Sequence, residues 1–169
     1  MDLSIIIFLL GGLFLGWSLG ANDAANVFGT AVGTRMVRFK TAAIVCSIFV
    51  ILGAIISGAG TTETLGKLGA INALPGAFAA CVAAGLSVYL MTKVGLPVST
   101  TQAIVGAIVG WNLYTGSATN IKVLITILGT WVLCPVIAGL IAMGFFTLTK
   151  NFILKRKIHI LRLDAYTRT

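Results

Sequence analysis

From Leu3 to Val37 the chain is almost continuously apolar, and its sharpest interruption is the cluster Asn22, Asp23 and Asn26 within "GANDAANVFGTAVGTR", residues 20–35. As one helix this stretch would be about 50 Å long, against roughly 30 Å for the core of a bilayer. No water-soluble fold tolerates so long an oily run. A single straight membrane span is too short to hold it. The stretch therefore predicts a membrane helix broken at "GAND", with an apolar part from Leu3 to Ala21 before the break and one from Ala24 to Val37 after it.

The rest of the chain repeats the pattern. Apolar runs follow at Thr41–Ala59, Leu74–Thr92 and Ile121–Leu148, and a shorter one at Ala103–Leu113. Between the second and third lies "GTTETLGKLGAIN", which reads as a polar loop. With 58% hydrophobic and 9% charged residues, the chain cannot cover a soluble surface. The fold class expected is an all-α integral membrane protein of about five membrane segments. The first and fourth segments are the ones expected to be broken or re-entrant.

Positive charge orients the segments. Arg35, Arg38 and Lys40 follow the first, Lys93 the third, and Lys155, Arg156 and Lys157 the fifth. The opposite loops carry Lys67 with Glu63, and Lys122. The positive-inside rule then predicts a multi-pass protein of the cell membrane, N-terminus outside and C-terminus cytoplasmic. Residues 1–150 form the membrane unit, and residues 151–169 a basic cytoplasmic tail. Five of the twelve basic residues lie in "KRKIHILRLDAYTRT". That tail reads as a juxtamembrane segment facing anionic lipid, not as a nucleic-acid contact. With an odd number of segments the termini lie on opposite sides. A second unit of the same kind would then pack inverted, as in many secondary transporters.

Other residues invite plainer readings. Cys46, Cys81 and Cys134 sit in apolar runs and read as small packing residues. His159 has no ligand pattern around it. Glycines four apart (Gly12, Gly16 and Gly20; Gly29 and Gly33; Gly106 and Gly110) predict close helix packing around the polar stretches.

Asp23 carries the chemistry. A carboxylate at membrane depth costs several kcal/mol unless a cation or proton accompanies it. A helix cap would need one Asp or Asn; here three oxygen-bearing side chains fall within about one turn, Asn22 and Asn26 sharing a face. That set suits a hard cation such as Na⁺. A second polar island, "PVSTTQ" (residues 97–102), starts with a proline that fits a helix's first turn. The helix N-terminus there would present free N–H groups beside Ser99, Thr100, Thr101 and Gln102, an anion site. A cation site and an anion site at two helix breaks are the pattern of an ion-coupled carrier. No nucleophile–base pair, metal-ligand set or second carboxylate facing Asp23 suggests an enzyme or a resident cofactor.

"GANDAANVFGTAVGTR" together with "PVSTTQAIVGAIVGWNL" resembles the inorganic phosphate transporter (PiT) family, whose members carry a GAND-x-AN signature and a P-[VI]-S-T-[TS]-[HQ] stretch. The resemblance covers roughly residues 10–150. It implies secondary transport of phosphate with Na⁺ or H⁺; some relatives carry sulfate. It further implies a phosphate site of Asn22, Asp23, Ser99, Thr100, Thr101 and Gln102, and a cation site of Asn22, Asp23, Asn26, Ser99 and Thr101, with Na⁺ held through Asp23 and Asn26. Gln102 stands where many relatives have His, which favours Na⁺ over H⁺. Typical members are about twice as long and hold each motif twice, in inverted halves. This chain holds each once and looks like one inverted-repeat half, to be joined by a second copy or a second half-chain. The alternatives are a permease for sulfate or another oxyanion, and a non-transporting scaffold subunit.

Overall fold

The computed structural model describes residues 3–69 and 74–151, and these are helical apart from short connections. Five helices follow one another: α1 (Leu3–Gly33), α2 (Phe39–Leu68), α3 (Leu74–Lys93), α4 (Thr100–Thr115) and α5 (Ile121–Thr149). All but α4 are long and apolar enough to cross a membrane. With 16 residues, α4 is about 24 Å long, short of the ~20 residues a span needs. The basic tail beyond Asn151 lies outside the described residues.

Two expectations are corrected. First, α1 does not break at "GAND": it runs 31 residues without interruption. Asn and Asp weaken helices when their side chains bond to nearby backbone. Here Asn22 spends its amide on another segment, and the flanking Ala21, Ala24 and Ala25 are strong helix formers. Second, "GTTETLGKL" is no loop, because α2 continues to Leu68. The hydroxyls of Thr62 and Thr64 donate to the carbonyls of Gly58 and Gly60, at 3.0 and 2.9 Å. Glu63 and Lys67 form an i,i+4 ion pair on the same helix. The remaining boundaries agree closely with the apolar runs, including the start of α4 after Ser99.

The chain divides into two compact units, residues 1–124 and 125–169. In the first, α1 and α3 run parallel in constant register. Phe8 meets Phe78 edge-on at 5.8 Å, Trp17 meets Tyr89 at 5.5 Å, and Thr92 reaches Asn22. The backbones approach most closely at Gly11 and Gly85, where a Cβ would collide with Phe78 and with Phe14. Among the described residues the expected glycine series plays no such part. A Cβ on Gly12, Gly16, Gly20, Gly29, Gly33, Gly106 or Gly110 would meet nothing within 4 Å.

Helix α4 folds back along α3, making a helical hairpin. Its foot is a knot of helix ends. Asn112 is fully buried, donates to Thr119 Oγ1 at 3.0 Å, and lies against Gly69, which leaves no room for a side chain. The Asn120 N–H bonds the Leu68 carbonyl at 3.0 Å. Gly116 ends α4 in the left-handed region, φ 69°, as a C-cap glycine does. The tip of the hairpin, residues 94–99, rests against α1 at Asn22. From that point α1 continues for about 16 Å to Gly33. Lys93 is thus level with Asn22 and not with Arg35 and Arg38, beside which the loop charges had grouped it.

The core is unlike that of a soluble domain. Its buried side chains include Ala80, Ala84, Val88 and Ile108, but also Ser18, Asn22, Thr100 and Asn112. Large apolar side chains point outward, among them Leu13, Ile55 and Ile56 at 69%, 75% and 79% exposure. That inversion suits lipid, where helices associate through close packing and hydrogen bonds. The second unit, considered by itself, is the greater part of α5. It is apolar and remains helical through Pro135.

Candidate functional site

Asn22 and Asp23 lie at the point where α1 touches the hairpin tip. The Asn22 side-chain N–H groups donate to the Val98 carbonyl at 2.5 Å and to Asp23 Oδ1 at 2.8 Å. The Asn22 Oδ1 accepts from the Val98 N–H at 3.5 Å and lies 3.4 Å from Thr92 Oγ1, whose single proton goes to the Val88 carbonyl at 2.8 Å. Thr100 donates its hydroxyl to Asp23 Oδ1 at 3.3 Å. One carboxylate oxygen thus collects two hydrogen bonds, while Oδ2 makes none among the described residues. Asp23 also forms no ion pair among them.

Pro97 and Ser99 explain why α4 starts here. Proline forbids a helix continuing into it from α3. Ser99 takes an extended conformation and its Oγ accepts from the Gln102 N–H at 3.3 Å, capping α4. The positive end of the α4 dipole is thereby aimed at the region of Asp23.

The expected site residues divide into two sets. Asn22 and Thr100 are buried, at 4% and 5% exposure, and contact Asp23 directly. Ser99, Thr101, Gln102 and Asn26 are exposed. Among the described residues, Asn26 and Thr101 make no side-chain hydrogen bond to the cluster. The structure therefore brings Asn22, Asp23 and Thr100 together and leaves the other four around them with open faces.

Two participants were not singled out from the sequence. Thr92 ends an ordinary apolar run, and its only signal was a hydroxyl just before the "PVSTTQ" island. Val98 contributes backbone groups alone, which no residue type betrays. Ser18, one turn before Asn22 on α1, is also buried, and its hydroxyl has no hydrogen-bond partner among the described residues.

Long apolar helices, a buried polar cluster within one of them, and a short hairpin ending against that cluster define a polytopic membrane protein with a polar site along a membrane helix. The chain belongs to the phosphate transporter family, whose sequence pattern matches residues 19–167. It is 34% identical over 167 residues to a Thermococcus kodakarensis protein named as a phosphate permease, covering 93% of this chain and 41% of that one. A similarly named protein of Haemophilus influenzae is 34% identical over 154 residues, 84% of this chain and 36% of that one. A Plasmodium falciparum protein named as a sodium-dependent phosphate transporter is 33% identical over 156 residues, 85% of this chain and 23% of that one. The chain thus spans about two fifths or less of the length of these relatives. No solved structure gives a significant match.

Proposed function

We propose that this chain is one half of a carrier that moves inorganic phosphate across a cell membrane together with Na⁺. The observation that carries the reading is Asp23, an uncompensated carboxylate on a membrane helix, hydrogen-bonded to the first residue of α4. A bare carboxylate at that depth is costly, and a monovalent cation relieves the cost. Once the cation is bound, the α4 N-terminus and its hydroxyls face a neutralised site. An oxyanion then becomes the complementary ligand. In this reading Na⁺ binds Asp23 Oδ2, with Asn26, Ser99 and Thr101 as further oxygen donors. Phosphate binds at Ser99, Thr101 and Gln102, beside Thr100. H⁺ can replace Na⁺ only by protonating Asp23, since Gln102 offers no titratable group.

The exposed faces of Asn26, Thr101 and Gln102 support a two-part carrier. Polar groups at membrane depth need partners, and a second half carrying the same motifs would supply them. The exposed glycine series on α1 is a surface that such a half could approach closely. Residues 1–150 form the transporter unit, with the N-terminus outside and residues 151–169 as a basic cytoplasmic tail.

The test is uptake of labelled phosphate into proteoliposomes, with and without an inward Na⁺ gradient, with sulfate as competitor. It is run on this chain alone and with an inverted second copy or second half. Na⁺-driven phosphate uptake that Asp23→Asn abolishes is the expected result. Uptake indifferent to both Na⁺ and Asp23→Asn would overturn the reading.

A further inference from the structure

We propose that Asn22 is not a ligand of either ion. It is a positioning residue that latches the tip of the α3–α4 hairpin to α1 and so sets the distance between Asp23 and the α4 N-terminus. The inference rests on the reading that those two groups form the ion site.

A carboxamide has two N–H donors and two acceptor lone pairs. In Asn22 both donors and one acceptor position are used within the protein. The donors go to the Val98 carbonyl and Asp23, and Oδ1 takes the Val98 N–H, with Thr92 Oγ1 packed 3.4 Å from it. The residue is 4% exposed, so an incoming ion would have to displace a buried partner to reach it.

The partners are as telling as the count. Val98 lies between Pro97, which has no N–H, and the Ser99 cap, so its own N–H and carbonyl are outside any helix. Both are met by one Asn22 side chain. A carboxamide offers a donor and an acceptor so spaced, and the two Val98 groups fix the orientation of the amide. The second N–H holds Asp23 Oδ1, the oxygen that Thr100 also holds. The latch therefore turns Oδ2 outward as the free ligand atom. At its other end the hairpin is anchored by the buried Asn112 knot. The foot is fixed by packing and the tip by the Asn22 amide.

The test separates position from ligation. It uses the full chain in lipid nanodiscs, with the native cysteines replaced. Spin labels at Val27→Cys and Leu96→Cys, both exposed positions on α1 and the tip, report their separation by dipolar broadening. Phosphate binding is measured in parallel with labelled inorganic phosphate and Na⁺. Asn22→Ala, and Asn22→Asp as a variant that keeps the acceptor, should both lose the broadening. They should also weaken phosphate binding about tenfold or more, the effect of one charge-assisted hydrogen bond. A covalent bridge between Asn22→Cys and Val98→Cys should restore binding to near the wild-type level, although no amide is present.

Unchanged dipolar broadening in folded Asn22→Ala would overturn the latch. So would a bridged protein that still binds no phosphate while the wild type binds it, since Asn22 would then be a ligand. If the wild type itself binds no phosphate, the proposed transport function fails. The spin-label comparison still decides the latch by itself.

Discussion

At the scale of single residues, Asp23 and Thr100 divide the work of the proposed site. Asp23 supplies charge, and Thr100 supplies a buried hydroxyl that orients one carboxylate oxygen. Thr100→Val removes a hydrogen bond to a charged group, worth about 1.5–3 kcal/mol. We therefore predict a loss of about tenfold to a hundredfold in apparent Na⁺ affinity. Gln102→Ala, at an exposed position outside the proposed Na⁺ ligands, should weaken phosphate binding while leaving Na⁺ affinity within about threefold, a shift under ~1 kcal/mol. Binding titrations of both ions on the two variants check this. Equal effects on both ions in both variants would remove the division of roles. The sequence made Asp23 conspicuous because charge is scarce in it. It could not reveal that Asn22 is held by the hairpin tip, because hydrogen-bond partners 76 residues away are set only by folding.

At the scale of elements, the α1–α3 pair depends on close approach at particular glycines. Gly85→Leu would drive a side chain into Phe14 and the Leu15 backbone. Overpacking of this kind costs about 1–3 kcal/mol. We expect the thermal midpoint in detergent to fall clearly. Gly16→Leu on the open side of α1 should leave it nearly unchanged. Comparable losses in both variants would mean that the glycine series packs within the chain after all. The same helices show where pattern reading falls short. Gly12, Gly16 and Gly20 have the spacing of a packing motif, yet the glycines that pack here are Gly11 and Gly85. Spacing identifies a helix face but not the neighbour it meets. Likewise, "GAND" looked like a break because the apolar run is longer than one straight span and this polar cluster interrupts it most sharply. The hairpin tip satisfied the Asn22 amide, and α1 ran on.

At the scale of the whole molecule, the turn at residues 34–38 and the foot of the hairpin lie at opposite ends of the first unit. If the N-terminus is outside, Met36→Cys should react with an impermeant thiol reagent only from the cytoplasmic side, and Ala118→Cys only from the outer side. The reverse pattern would invert the proposed orientation. Charge reversal at Lys155, Arg156 and Lys157 should weaken this preference, because positive loops retain their side by electrostatics. Assembly belongs to this scale as well. Gly16→Leu, harmless to the fold of the chain, should reduce Na⁺-driven uptake in the two-part carrier if the second half packs against that face of α1. Wild-type uptake in that variant would place the second half elsewhere.

The sequence by itself determined the membrane class, the positions of the apolar helices, the start of α4 and the place of Asp23 as a carboxylate within an apolar helix. Each is a local property: hydrophobic length, a proline with a capping serine, a lone carboxylate. Tertiary structure alone decided that α1 is continuous, that α4 returns along α3, and that the hairpin tip stops beside Asn22. It also decided that Asn22 divides its amide between Val98 at the tip and Asp23, while Asp23 keeps one oxygen free among the described residues. The physical reason is that these outcomes depend on which distant groups meet. A buried amide takes whatever donors and acceptors the packing brings to it, and no local pattern specifies them.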